Sequence, residues 1–319
     1  MNKNKEQPSM SHKLAEQIMN RRTGILTYGM TPPKLGTPEE KLITIAGTQH
    51  QRIASLPIDG LILYDVQEED SREGDRPFPY LEALDPGFYR STYLGGLQTP
   101  SILYRSVGKY RPDELEAWAA RQPQGACAVF VGASSSAQPV KTTLPHAFEI
   151  GRRYPQLLMG GVMIPERHMN TRDEHMRVIR KMESGCRFFV SQAIYNVEAS
   201  KDFLSDYYYA CQEQELEMVP ILFNFAPCGS LKTLEFIKWL GISLPRWLEQ
   251  DLIHSHDILD KSITLVRKIM DELMDFALEK GIPVGCSVES VSTRKVEIEA
   301  SLQLLWDIRG DMDKKLGCV

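Results

Sequence analysis

The stretch LLMGGVMIPERHMNTRDEHMRVIRKMESGCRFFVSQA, residues 157–193, holds two apolar runs separated by one amphipathic segment. LLMGGVMI (157–164) and RFFVSQA (187–193) are short and apolar throughout, which suits strands buried on both faces. Between them TRDEHMRVIRKMESG reads as a helix. Thr171-Arg172-Asp173-Glu174 forms a capping box at its start and Gly185 stops it. IPERH (164–168) reads as the loop leaving the first strand. Strand, helix and strand in this order make a parallel unit with a right-handed crossover.

The same alternation runs along the chain. Further strand candidates are GILTYG (24–29), GLILYDV (60–66), SILYRSV (101–107), ACAVFVG (126–132), MVPILFNF (218–225) and PVGCSVE (283–289). Helical segments lie between them; one opens on Thr37-Pro38-Glu39-Glu40, with Thr37 as the expected N-cap and proline in the first turn. Eight strands alternating with helices predict a (β/α)8 TIM barrel. A doubly wound sheet is the rival, and no G-x-G-x-x-G turn supports it. The expected organisation is a polar N-terminal extension or helix over 1–22 and one barrel domain over 23–319. Residues 244–280 are long for one unit and predict an extra helix between the seventh and eighth strands.

Composition narrows the function classes. The chain has 319 residues, 42% hydrophobic and 25% charged, with a net charge of −5. The pI is near 5.9 and the mean hydropathy −0.28. That balance argues against sequence-independent nucleic-acid binding, which needs a basic surface. No uncharged apolar run reaches membrane-spanning length, and the polar N-terminus has no apolar signal core. Six cysteines lack disulfide or zinc spacing and read as reduced thiols in a cytoplasmic protein. No metal site is expected. His254 and His256 in LIHSHD could pair on an ion, yet no third ligand is evident, and they read as surface residues of the inserted segment.

In a barrel of this kind the site lies at the C-terminal ends of the strands. Glu166 and His168 follow the fifth strand there; a lone histidine is as often a structural hydrogen-bonding group as a catalyst. Glu174, Arg177 and Lys181 share one helix face with Arg180 nearby. They form either a solvated face with internal ion pairs or a cationic edge for a phosphate, with Glu174 accepting from a ribose hydroxyl. Gln192 ends a strand with an amide that can pair with the edge of a heterocycle. YDVQEED (64–70) carries four carboxylates, read as an acidic loop face or as an acid/base or cation site.

Taken together in order, TYGMTPPK, YDVQEED, VFVGAS, GGVMIPERH, IRKMESGCRFFVSQAIYN, LPRWL and CSVESVSTRKVEIEASL resemble the methylenetetrahydrofolate reductase family, FAD-bearing barrels that make 5-methyltetrahydrofolate. The resemblance spans about Gly24 to Leu305, and ESGCRFFVSQ is its most characteristic piece. It implies that Gly132 lets a flavin approach the fourth strand and that His168 lies beside that flavin. It implies further that Glu174 meets the ribityl or ribose hydroxyls, that Arg180 and Lys181 are a basic pair near the FAD phosphates, with Arg177 on the same cationic edge as a cofactor-binding candidate, and that Gln192 reads the pterin. FAD, an NADH or NADPH donor and a folate-like substrate follow as implied ligands, with a homo-oligomer or a partner subunit as the implied assembly.

The departures from the family concern proton transfer. Gly29 stands where the family carries a glutamate, and Val131 and Ala133 flank the glycine of its Arg-Gly-Asp. Ile164 replaces an aromatic, and another aromatic is lost near Ser230. Glu289, Glu68 and Glu69 are the candidate surrogate acids; strand alternation points Tyr28 away from the barrel interior. The expected function is flavin-dependent reduction of a C1-carrying tetrahydrofolate or related pterin. The alternatives are a catalytically silent folate- or flavin-binding partner or regulatory subunit, and a C1 or methyl transferase using the same pocket.

Overall fold

Eight parallel strands close on themselves in sequential order: β1 (Leu26–Met30), β2 (Gly60–Leu63), β3 (Ser101–Ser106), β4 (Ala126–Val131), β5 (Leu157–Met163), β6 (Phe188–Ala193), β7 (Ile221–Phe225) and β8 (Val284–Glu289). This computed structural model describes residues 10–67, 75–133 and 138–318. The TIM barrel expected from the alternation is therefore present, with all eight strands where the apolar runs lie. No helix among the described residues is long and apolar enough to cross a membrane.

The helices are α1 (Met10–Met19), α2 (Glu39–Ala54), α3 (Pro86–Thr92), α4 (Pro112–Ala120), α5 (Leu144–Arg152) and α6 (Pro165–Thr171). After them come α7 (Glu174–Glu183), α8 (Val197–Glu213), α9 (Leu231–Trp239), α10 (Arg246–Ile253), α11 (Ile258–Glu279) and α12 (Lys295–Lys315). The β7–β8 connection, where an extra helix was expected, carries three: α9, α10 and α11.

Two apolar layers follow from strand alternation. Leu26, Tyr28, Leu61, Leu63, Ala128 and Phe130 point outward into the helix layer. Ile62, Ile102, Tyr104, Val129, Val190 and Leu222 fill the interior. Tyr28 thus turns away from the lumen as alternation requires. Leu14 and Ile18 of α1 join the interior cluster and plug the N-terminal end of the barrel. Gly60 makes room for the plug, since a Cβ there would come within 2.8 Å of Leu14.

Local signals differ from the expectation in three places. Thr37 does not cap α2: its hydroxyl bonds the Lys34 carbonyl, and Pro38 occupies the cap position. Thr171 does not cap α7, because Asp173 holds that position and Glu174 turns back to the Ile164 amide. IPERH is no loop; it is the start of α6, with Pro165 in its first turn and Arg172 left-handed (φ 50°) at its end. Gly185 does stop α7 in a left-handed conformation (φ 105°).

Candidate functional site

At the C-terminal end of the barrel, Gly29 of β1 stands directly opposite Glu289 of β8 in the parallel register. Glycine is required at position 29 by a neighbour. A Cβ there would lie 2.5 Å from the Tyr64 hydroxyl and 2.8 Å from its ring. Tyr64 therefore fills the space of the missing side chain, and its phenol lies against the Glu289 carboxyl. The ring packs edge-on against Tyr104, centroids 4.8 Å apart.

Asn224 of β7 completes the cluster by donating to Glu289 Oε1 at 2.6 Å. The Ser191 hydroxyl in turn accepts the Asn224 amide N–H at 2.8 Å. Burial pushes the Glu289 carboxyl above its ordinary range, and the bonds from Tyr64 and Asn224 offset this only in part. Burial and the nearby Glu289 also hold the Tyr64 and Tyr104 phenols far above theirs. Asn224 Oδ1 and the Ser287 hydroxyl are buried without a hydrogen-bond partner among the described residues. A carboxyl biased towards its neutral form, flanked by unspent donors and acceptors, can bind a polar heterocycle and exchange a proton with it.

Of the residues singled out in the sequence, the structure gathers Gly29 and Glu289 here, with Asn224 from the end of β7 beside them. Tyr64 and Tyr104 are additions. Their signal was the period-two alternation with Ile62 and Ile102, which puts them on the lumen face. Glu68 and Glu69 lie outside the described residues. Asp65, in the same acidic stretch, is buried and holds the ends of β2 and β3 together. Its carboxylate accepts from the Ser106 amide, Lys109 and Tyr110 at 2.6–2.9 Å. Arg105 points outward, between Asp85 and the Trp118 face.

The residues that the resemblance assigns to a flavin are placed differently. His168 sits in the helix layer, 2% exposed, with Nε2 3.0 Å from Asp206 of α8. Glu174 is fully buried, and Oε1 accepts the Ile164 amide at 2.9 Å. Lys181 donates to the Val162 carbonyl at 2.6 Å. Arg177 pairs with Asp173, and Arg180 is exposed. Gln192 donates to the Leu240 carbonyl at 2.9 Å. At Gly132 a side chain would make ordinary contacts with Leu144, and the carbonyl accepts from Gln67 at 3.3 Å. Apart from the exposed Arg180, this donor set is spent inside the protein and does not fit a flavin cradle as carried over. Glu166, at the start of α6, is also buried, with both carboxyl oxygens unpartnered; burial pushes its pKa up to about 7, and Glu174 adds to the shift.

No protein-family model and no curated protein matches the sequence. Among solved structures, a GH113 β-mannanase from Alicyclobacillus acidocaldarius aligns over 91% of this chain and 97% of its own. Its TM-score is 0.52 at 14% identity, a likeness of fold alone. An uncharacterised protein from Clostridium thermocellum that binds two copies of 5-methyl-5,6,7,8-tetrahydrofolic acid is far more similar. It is 51% identical, with a TM-score of 0.83, over 93% of this chain and 99% of its own. At that identity and coverage, the chain belongs to the family of the Clostridium thermocellum protein.

Proposed function

We propose that the barrel mouth binds a reduced folate, 5-methyltetrahydrofolate or a close relative, and that Glu289 is the acid/base group of the pocket. The carrying observation is the register pair Gly29–Glu289. The acid that the first strand lacks has a counterpart on the adjacent strand, with its carboxyl biased towards the protonated form. The Clostridium thermocellum relative, which binds 5-methyl-5,6,7,8-tetrahydrofolic acid, supports the ligand class. A protonated Glu289 can share its proton with a basic ring nitrogen of the bound folate. The carboxylate left behind is held by Asn224 and recovers the proton afterwards.

Calorimetric titration with 5-methyltetrahydrofolate tests the reading. Binding by the wild-type protein is expected, with a loss of about tenfold or more in Glu289→Gln, the scale of one charge-assisted hydrogen bond. Absence of binding in the wild type overturns the folate reading. Unchanged affinity in Glu289→Gln removes Glu289 from the pocket.

A flavin-dependent reduction is the second reading, favoured by the same acid. No step is routed through a flavin, because the residues that would hold it are engaged elsewhere. Its test is separate: the protein as isolated would be yellow and would bleach with NADH or NADPH. A colourless protein that binds the folate and consumes no reductant leaves binding or one-carbon transfer as the function.

A further inference from the structure

Three helices outside the barrel bring two imidazoles and a carboxylate together. His168 lies on α6, His175 on α7 and Asp206 on α8, and one potential ligand atom from each falls within 4.8 Å of the others. The short α6 and the left-handed Arg172 fold the chain back so that residues 168 and 175 face each other. Their rings stand edge to face, centroids 5.2 Å apart. His168 Nε2 is already 3.0 Å from Asp206 Oδ2. Phe203 closes one side of His168, and the half-exposed Asp206 opens the other to solvent.

A structural hydrogen bond accounts for the His168–Asp206 contact and for nothing else in the cluster. Nδ1 of His168 and Nδ1 of His175 are both buried without a protein partner. The His175 nitrogen is costly to bury unless something accepts its lone pair; an ion that takes His168 through Nε2, the nitrogen beside Asp206, meets that need and leaves Nδ1 of the His168 ring outside the site. Neutral imidazole nitrogens and a carboxylate are the ligand types preferred by divalent first-row metal ions.

We infer that His168, His175 and Asp206 form a binding site for one divalent transition-metal ion, for which zinc is the probe, with a fourth position open to water. Tetrahedral ligands on zinc lie roughly 3.3 Å apart, given bond lengths of about 2 Å. The His168 Nε2–Asp206 Oδ2 pair, 3.0 Å apart, is close to that spacing, and the His175 nitrogen, within 4.8 Å of both, must close in by at most about 1.5 Å. The ion would pin α6, which leaves β5, to α7 and α8. This site is remote in chemistry from the folate pocket and stands without it.

The test uses the full chain stripped with a chelator and titrated with zinc chloride, then with cobalt chloride for its visible absorption. Expected are one equivalent per chain, the absorption of a low-coordinate cobalt site, and a zinc-dependent rise in Tm of about 4 °C at a hundredfold excess over Kd. His175→Ala and Asp206→Asn, neither of them fully buried, should each weaken zinc binding by at least tenfold. The double substitution His254→Ala/His256→Ala should leave it unchanged. Should His175→Ala fail to fold, the exposed Asp206→Asn carries the test. Failure to bind a stoichiometric ion overturns the inference. So does zinc binding that survives in the folded ligand variants or disappears in the His254/His256 variant.

Discussion

Adding a single methyl group to Gly29 would drive it into the Tyr64 hydroxyl, 2.5 Å from the ideal Cβ position. The family-like glutamate cannot return at this position while Tyr64 keeps its place. Gly29→Ala should cost about 1–3 kcal/mol, the usual price of overpacking, and should cost less in a Tyr64→Leu background. Urea unfolding of the four proteins of the cycle measures the coupling, and additive effects would show that the two residues do not compete for one space. Glu166 offers a pH test. Its carboxyl is raised from 4.5 to about 7 by burial, chiefly, and by Glu174. A raised carboxyl favours the folded state fully below pH 4.5, and that contribution fades as pH rises through 7. Glu166→Gln should therefore flatten the fall in stability between about pH 4.5 and 7, by on the order of 3 kcal/mol. Chemical denaturation across that window decides it; an unaltered slope would assign the pH dependence to Glu174 or Glu289.

At the scale of elements, the apolar runs were legible because a strand buried on both faces has no polar alternative. Each of the eight lies within a residue or so of its run at most ends, and the short β2 and β7 lose the polar or proline-bearing ends of theirs. Caps and side-chain directions were less legible. Thr171 and Glu174 have capping-box spacing, yet the left-handed Arg172 reorients the chain and gives Glu174 a better partner in the Ile164 amide. Lys181 and Arg180 are adjacent in sequence and look alike as phosphate binders. Helical geometry buries the first over β5 and exposes the second. The site was half legible: Glu289 ends a strand, but the role of Gly29 depends on a tyrosine from another strand. Asp65 shows the same dependence on distant partners. Asp65→Ala should cost about 3 kcal/mol, because it strands the Ser106 amide, Lys109 and Tyr110 at the β2–β3 edge. Denaturant unfolding with an unchanged m-value checks this, and a loss under 1 kcal/mol would mean that water replaces the carboxylate.

The whole molecule divides its labour between the two ends of the barrel. The N-terminal end is closed by α1, whose Leu14 and Ile18 are 0% and 1% exposed against the interior cluster. Beside the plug, Asp59 ties the parts together: it accepts from Gln17 of α1, the Leu26 amide and Arg309 of α12 at 2.8–3.0 Å. The C-terminal end keeps its polar atoms unspent around Glu289. Stability at one end and chemistry at the other is the usual arrangement of this fold, and it makes the two properties separable by mutation. Leu14→Ala leaves a cavity under the barrel and should cost about 2–5 kcal/mol. For a chain of this size that lowers Tm by roughly 3–8 °C. Its affinity for 5-methyltetrahydrofolate, measured well below the transition, should match the wild type. Glu289→Gln should do the opposite, losing affinity while unfolding no earlier than the wild type, since it removes a buried ionisable group and keeps an amide able to bond Asn224. Parallel melting curves and titrations of the two variants decide the matter. A Leu14→Ala protein that also loses the folate would show that the plug sets the geometry of the mouth, because the interior side chains stacked between them transmit the collapse of the lower layer.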